Sequence, residues 1–222
     1  RHAVEQLKCN YVLLWNNDIE INTGYLNTIL EIIDHQTEDI VIGSKIYADL
    51  QNKIVWSMGG NFNPRSGHSS MIGYMEPDNP KLNSPVACDW LTGMGTIVPS
   101  SVIRKIGYWD EVNYPQYLGD TEFTYRARIN GFKVIAYPEL VIWNDTENTG
   151  WTKKDSLRTV FKMLADKRSL YYLKANVKFY KSYSQSLFAY SFLFLNYFKF
   201  FGGFFKWKIL KFFGFRNKSD FN

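Results

Sequence analysis

The sequence predicts an α/β protein, in which strands and helices alternate along roughly the first two thirds of the chain. Tyr11–Trp15 and Ile40–Ile42 are continuous apolar runs, which are typical of strands buried on both faces. Between these runs, apolar residues recur at helical spacing at Leu26, Ile29, Leu30 and Ile33. Alternation of this kind favours a parallel sheet covered by helices. The 222 residues, of which 45% are hydrophobic, suffice for a sizeable core.

The remaining elements have local signals of their own. Further strands are predicted at Lys53–Met58, Lys133–Tyr137 and Val141–Trp143, and ordered structure is predicted to resume at Trp90–Val98. Helices are predicted to start at Asn22 or Thr23, at Pro99, at Asp120 and at Ser156. Beyond residue 155 we find no strand signal, so the end of the chain is predicted to be helical.

The basic charge is concentrated in one aromatic segment near the C-terminus. Residues 179–215 hold five lysines, no acidic residue and 17 of the 39 aromatic residues, whereas the rest of the chain is neutral. Residues 185–205 reach the ~20 residues of a membrane-spanning helix only by including Lys199. An amphipathic helix lying in the membrane plane fits this composition equally well. We therefore expect a membrane surface as a partner of residues 185–215.

Residue composition and spacing argue against a zinc module, a disulfide framework and a nucleic acid partner. Cys9 and Cys88 lie in no Cys/His array, which excludes a zinc module and a disulfide framework and predicts two buried thiols. The lysines lie within a hydrophobic segment rather than on a soluble basic face. No nucleic acid partner is therefore predicted.

Asp18 directly follows the first predicted strand and is preceded by Asn16 and Asn17. In open α/β sheets, ligands gather at the carboxyl ends of strands. Oxygen ligands there suit Mg²⁺ or Mn²⁺ held against a diphosphate. The same three residues are also typical of a simple turn, so both interpretations stay open.

Asp120 stands where a helix is predicted to begin. A carboxylate at that position is ionised and can act as a general base toward a substrate hydroxyl. The alternative is that Asp120 only caps the helix by accepting backbone N–H bonds.

Five motifs in a fixed order link these two acidic residues. The motifs are Leu14–Asp18, Trp90–Gly93, Ile106–Glu111, Asp120–Glu122 and Arg126–Val134. Their pattern resembles glycosyltransferase family 2, whose members are inverting enzymes of the Rossmann-like GT-A fold, and most resembles its bacterial rhamnosyltransferase-like branch. The resemblance covers residues 1 to about 150.

The resemblance implies a role for each matched residue. Asp18 would hold Mn²⁺ or Mg²⁺ on the diphosphate of a nucleotide-sugar donor, and Asp120 would deprotonate the acceptor hydroxyl. The residues implied in binding donor or acceptor are Asn16, Asn17, Trp90, Thr92, Gly93, Trp109, Asp110, Glu111 and Glu122. For Trp90, a place in the hydrophobic core is an equally good interpretation.

The sequence departs from the family pattern at two positions. Gly119 stands where relatives have Glu before the base, and Asn144 stands where they often have a His. Asn144 or Asp145 would then be the further metal or phosphate contact. These departures suggest an alternative, a non-catalytic saccharide-binding relative.

The predicted organisation has two parts. The resemblance implies that residues 1–150 are the catalytic and acceptor part of a GT-A domain lacking its N-terminal nucleotide-binding half. Arg1–Leu7 has the pattern of mid-helix sequence, which predicts that the numbering starts inside a longer protein. Residues 151–222 would be a helical, membrane-associated tail. Together they predict an enzyme of cell-surface polysaccharide synthesis at the cytoplasmic face of the membrane, acting on a saccharide or lipid-linked acceptor.

Overall fold

The computed structural model describes residues 1–49, 51, 53–144 and 156–212. The chain divides into two compact units. Unit 1 comprises Arg1–Phe62, Ser69–Tyr114 and Leu118–Gly150, and unit 2 comprises Asn63–His68, Pro115–Tyr117 and Trp151–Asn222.

Unit 1 contains ten described strands and three described α-helices. The strands are β1 (Tyr11–Leu14), β2 (Ile19–Ile21), β3 (Ile40–Asp49), β4 (Ile54–Ser57), β5 (Gly60–Phe62), β6 (Ser69–Met71), β7 (Glu76–Pro77), β8 (Val86–Ala87), β9 (Thr96–Pro99) and β10 (Lys133–Asn144). The helices are α1 (Tyr25–Asp34), α2 (Ser100–Ile106) and α3 (Gly119–Ile129). A helical turn at His2–Gln6 and a 3₁₀ turn at Pro80–Leu82 complete the unit.

The main sheet has the strand order β1-β9-β3-β10-β2, with β4 beside β3, β7 beside β4 and β8 beside β10. Among the described strands only β3 and β10 pair in parallel. The prediction of a parallel sheet is therefore wrong. Residues 50–53, which join β3 to β4, are too few for the crossover that parallel neighbours need.

Helices cover both faces of this sheet, which confirms the α/β class. On one face, Tyr25 and Ile29 of α1 pack against isoleucines of β3 and β10. On the other face, Val102 of α2 and Phe123 of α3 pack against Val41 and Val134. Burial of these apolar side chains is the main favourable contribution to folding.

Three local expectations differ from the structure. The strand at Tyr11 is an edge strand that is half-exposed rather than buried on both faces, because it pairs only with β9 among the described strands. The two strands predicted after Gly131 form the single strand β10, which has an irregularity between Tyr137 and Val141. The helix predicted from Asn22 or Thr23 begins after Gly24, and its residues Leu26 and Leu30 are exposed.

Unit 2 contains three described helices, α4 (Leu157–Ala165), α5 (Leu173–Tyr183) and α6 (Ala189–Phe212). Val160 of α4 packs against Phe200 and Phe204 of α6. The segment Asn63–His68 belongs to this unit, and within it the Tyr180 hydroxyl donates to the Gly67 carbonyl over 2.6 Å. None of the helices in the described residues combines the length and apolar character needed to cross a bilayer.

Candidate active site

Most of the predicted site residues lie along one edge of the main sheet, the edge at which β1, β3 and β10 end. β1 and β3 are both antiparallel to β9, and β3 is parallel to β10, so β1, β3 and β10 run in the same direction. The carboxyl ends of β1 and β10 and the amino end of β9 therefore share an edge. The segment after β1 carries Asp18, the segment before β9 carries Gly93, and β10 ends at Asn144.

Asp18 and Asn144 are brought together by strand pairing. Asp18 is exposed in the turn between β1 and β2. β2 pairs with the end of β10 so that Ile19 lies opposite Asn144, one residue from Asp18. Asn144 is buried, at 6% exposure, whereas Asn16 and Asn17 are exposed beside Asp18. Asp145 lies outside the described residues.

Asp120 is the second residue of α3 and is held by two N–H donors. Its carboxylate accepts hydrogen bonds from the backbone N–H of Gly93 and from the indole of Trp109, whose N–H can only donate. Burial raises the pKa of Asp120, and the two hydrogen bonds oppose that rise. Leu118 occupies the position before α3 and no side chain caps the helix, so the capping interpretation of Asp120 is wrong.

The loop before β9 is fixed against α3. The backbone N–H of Leu91 donates to the Thr124 hydroxyl over 2.8 Å. Gly93 lies so close to the carboxyl that an added Cβ would stand 2.7 Å from Asp120 Cγ and closer still to Oδ2. Trp109 stacks on Phe123 at 3.7 Å between ring centroids. The carboxylate thus sits in a packed frame that leaves it little freedom.

The other predicted acidic residues have different surroundings. Glu122 is buried and pairs with Arg126, which also donates to the backbone carbonyls of Ile106 and Tyr108. Asp110 accepts from the backbone and side-chain N–H groups of Asn113 at 3.1 and 2.7 Å. Glu111 is exposed. These contacts give Glu122 and Asp110 structural partners close to Asp120.

Trp90 and Thr92 lie in the segment that leads to Gly93. Trp90 is 5% exposed, and its ring packs against Gly60. Its indole N–H is buried without a hydrogen-bond partner among the described residues. Thr92 is half-buried, and its carbonyl accepts from the Thr96 hydroxyl over 2.5 Å. The structure therefore places the predicted Trp90–Gly93 motif next to Asp120, with Trp90 itself in the core.

A buried cluster at the same edge was not predicted. The Tyr25 hydroxyl lies 2.6 Å from the Ser44 hydroxyl, which donates to the Gly95 carbonyl over 2.9 Å. Tyr25 and Ser44 are 1% and 3% exposed. Tyr25 and Gly95 are 70 residues apart in the chain, so no local sequence pattern signals the contact.

Comparisons with known proteins find likenesses among solved structures but none among family models or curated proteins. No model of a protein family matches this sequence, and no curated protein matches it. Among solved structures, the chain is similar to the crystal structure of GalNAc-T7 with UDP, GalNAc and Mn²⁺, at 13% identity and a TM-score of 0.46. The similarity covers 73% of this chain and 33% of the other, so this chain spans about a third of that protein's length.

Proposed function

We propose that this protein is a GT-A glycosyltransferase of family 2 that transfers a sugar from a nucleotide-diphosphate donor to a saccharide hydroxyl, with inversion at the anomeric carbon. The observation that carries the proposal is the Asp120 carboxylate, held by Gly93 and Trp109 at the sheet edge that also bears Asp18 and Asn144. The five ordered motifs that resemble family 2, and most of all its rhamnosyltransferase-like branch, support it.

Asp120 is the general base of the proposed reaction. The ionised carboxylate takes the proton of the acceptor hydroxyl while that oxygen attacks the anomeric carbon. The bond from that carbon to the diphosphate oxygen breaks, and its electron pair leaves with the diphosphate. Burial makes Asp120 a stronger base than an exposed aspartate, and the two N–H donors keep it ionised.

The residues around Asp18 fit a hard divalent cation that takes much of its coordination from the substrate. Among the described residues, no group of three or more His, Cys, Asp and Glu side chains can hold a metal ion alone. The oxygens of Asp18 and Asn144 suit Mg²⁺ or Mn²⁺, which commonly bind through one or two carboxylates plus phosphate oxygens and water. When bound, the cation would neutralise charge on the leaving diphosphate.

The second part of the proposal is that α6 brings the enzyme to a membrane surface. Four exposed apolar residues, spaced four or seven residues apart along one side of the helix, form what we call the outer stripe: Phe194, Phe198, Phe205 and Ile209. The opposite side of α6 is buried through Leu193, Phe200 and Phe204. A helix with two apolar sides has no simple amphipathic pattern in its sequence.

Lysines border the outer stripe. Lys199 and Lys206 lie on one side of it and Lys208 on the other, all three exposed, and residues 189–212 contain no acidic residue. Anionic lipids attract such residues, while the aromatic rings enter the headgroup region. We therefore propose that the enzyme acts at the inner face of the cell membrane. A lipid-linked acceptor for cell-surface polysaccharide would be present there.

The test of the proposed activity uses the protein as its gene encodes it. Release of nucleotide diphosphate is followed with a panel of nucleotide sugars, an acceptor mixture and Mn²⁺ or Mg²⁺. We expect release that requires the metal and falls by 10²-fold or more, on the order expected for loss of a general base, in Asp120→Asn. Asp18→Asn should raise the metal concentration needed, and Asp39→Asn, an exposed control, should change neither.

The alternative function is saccharide binding without transfer, which Gly119 in place of the usual Glu suggests. Saccharide binding in a folded protein that releases no diphosphate from any donor would favour this alternative. Equal release of nucleotide diphosphate by the wild type and Asp120→Asn would show that Asp120 is not the general base.

A further inference from the structure

We infer that Tyr25 and Ser44 are positioning residues: their paired hydroxyls fix the Gly95 carbonyl and, through the turn that Gly95 shares with Gly93, the N–H group that orients Asp120. This inference rests on the proposed function for its kinetic readouts. Neither residue touches the reacting groups in the proposed reaction, so both would act through the loop before β9.

The hydroxyl pair is well placed to hold that carbonyl. Ser44 on β3 donates to Gly95 O over 2.9 Å, and the Tyr25 hydroxyl approaches the same oxygen at 3.4 Å. Burial raises the pKa of Tyr25 to about 12, so its hydroxyl keeps its proton at neutral pH. With Tyr25 bonded to Ser44 Oγ at 2.6 Å, the Ser44 proton is left for the carbonyl.

Gly95 is the residue through which this pair can act on both sides of the site. Its φ of +66° is a left-handed conformation that favours glycine, and an added Cβ would stand 2.7 Å from Ser44 Oγ. Its N–H donates to the carbonyl of Leu14, the last residue of β1, over 3.0 Å. Gly95 therefore joins the strand that leads to Asp18 and the loop that holds Asp120.

Tyr25 also contacts the Asp18 side directly. Its ring meets the ring of Trp15, three residues before Asp18, edge to face at 6.0 Å between centroids. The other neighbours of Tyr25 form an apolar cluster with Ile42, Ile97 and Ile142. A buried hydroxyl pair in such a cluster is costly unless it is hydrogen-bonded, and the backbone of the site loop supplies that bond.

The experiment compares Tyr25→Phe and Ser44→Ala with two matched controls. Ser57→Ala removes another buried hydroxyl that donates to a glycine carbonyl, that of Gly59 at 3.3 Å. Tyr180→Phe removes a buried tyrosine hydroxyl that donates to Gly67 O. The readouts are the pKa of Asp120, measured by NMR of labelled aspartate carboxyls, and the separate values of kcat and KM. Urea unfolding confirms that each variant is folded.

We expect the pKa of Asp120 to rise in both test variants, because a displaced Gly93 N–H stabilises the ionised carboxylate less. We also expect kcat to fall roughly tenfold, the lower end for residues that support a ligating or catalytic group. KM for the donor should change less than about twofold. Ser44→Thr, which keeps the hydroxyl, should restore kcat and the pKa toward the wild type.

The inference is overturned if the pKa of Asp120 and kcat are unchanged in Tyr25→Phe and Ser44→Ala, or if the two controls change them equally. A wild type without transferase activity would count against the proposed function instead. The NMR measurement needs no turnover, so it decides the inference in that case as well.

Discussion

Asp120 is subject to opposing influences, since burial raises its pKa while the Gly93 and Trp109 hydrogen bonds lower it. In the proposed reaction the ionised form of Asp120 is the base, so kcat should rise with pH through a pKa above that of an ordinary aspartate. Trp109→Phe keeps a ring stacked on Phe123 but removes one N–H donor, so the acidic limb of the pH profile should move to higher pH.

The control for that prediction is Trp143→Phe. The Trp143 indole N–H is buried without a partner among the described residues, so its loss should leave the limb in place. A limb that stays fixed in Trp109→Phe, or moves to lower pH, would contradict the role given to the indole.

Gly93 offers a second test at the residue scale. In Gly93→Ala the new methyl group would overlap the Asp120 carboxyl and displace it, so kcat should fall at least about tenfold, as expected for misplacement of a reacting group by an ångström. Gly119→Ala changes the residue just before Asp120, where an added Cβ lies 3.2 Å from Tyr114 O, and should retain activity. Steady-state kinetics of the two variants decide the matter, and equal activities would count against close contact at Gly93.

Single residues also show how far the sequence could predict the site. Gly93, Trp109 and Asp120 belong to three separate motifs, and the structure brings all three together around one carboxylate. Tyr25 and Ser44 belong to no motif. Their hydrogen bonds reach 19 and 51 residues along the chain, and such contacts depend on how α1 packs on the sheet.

At the scale of elements, Arg126 ties α3 to the segment that carries Trp109. Its guanidinium pairs with Glu122 and donates to the carbonyls of Ile106 and Tyr108. Arg126→Met would leave a buried carboxylate without its charged partner, so the free energy of unfolding should fall by about 3–5 kcal/mol. Arg128→Met loses a 3.9 Å pair from a half-exposed side chain and should cost about 1 kcal/mol or less.

Urea denaturation of both arginine variants measures the difference. A similar loss of stability in the two would mean that the buried pair contributes no more than an ordinary surface contact. The partner of Arg128, Asp89, is partly exposed and keeps access to water, whereas Glu122 is 4% exposed and does not.

Helix α1 shows why the element patterns were only partly informative. Its spacing correctly predicts a helix, but the buried residues are Tyr25 and Ile29 while Leu26 and Leu30 are exposed. Periodicity is judged from apolar residues alone, so it does not predict the burial of a tyrosine whose hydroxyl is hydrogen-bonded on β3. The edge position of β1 escaped prediction for a related reason, since an apolar run does not reveal how many strands pair with it.

For the molecule as a whole, charge and aromatic surface coincide in α6 and predict binding to anionic vesicles. Replacing Lys199, Lys206 and Lys208 by Gln should weaken that binding by about 3 kcal/mol, at about 1 kcal/mol for each lysine, which is roughly 100-fold. Phe198→Ser with Phe205→Ser should weaken it on both anionic and neutral vesicles, because it removes apolar area. Vesicle sedimentation at two salt concentrations measures both effects.

A triple variant with the same change in charge serves as the control. Lys162, Lys174 and Lys178 are exposed on α4 and α5, and their replacement by Gln should have the smaller effect. Equal losses in the two triple variants would mean that net charge alone, rather than the border of the outer stripe, attracts the vesicles. A stable dimer that does not bind vesicles would mean that the outer stripe packs against a second copy of the chain.

The two cysteines differ more than the sequence suggested, because Cys9 is partly exposed while Cys88 is 3% exposed. Burial raises the pKa of Cys88 to about 12, so in the folded chain it is neither accessible nor a thiolate at neutral pH. Its alkylation must wait until the core of unit 1 opens. The rate of the slow phase of a thiol-labelling reaction therefore measures how often that core opens. This measurement also works on vesicles and in crude extracts, where spectroscopy fails.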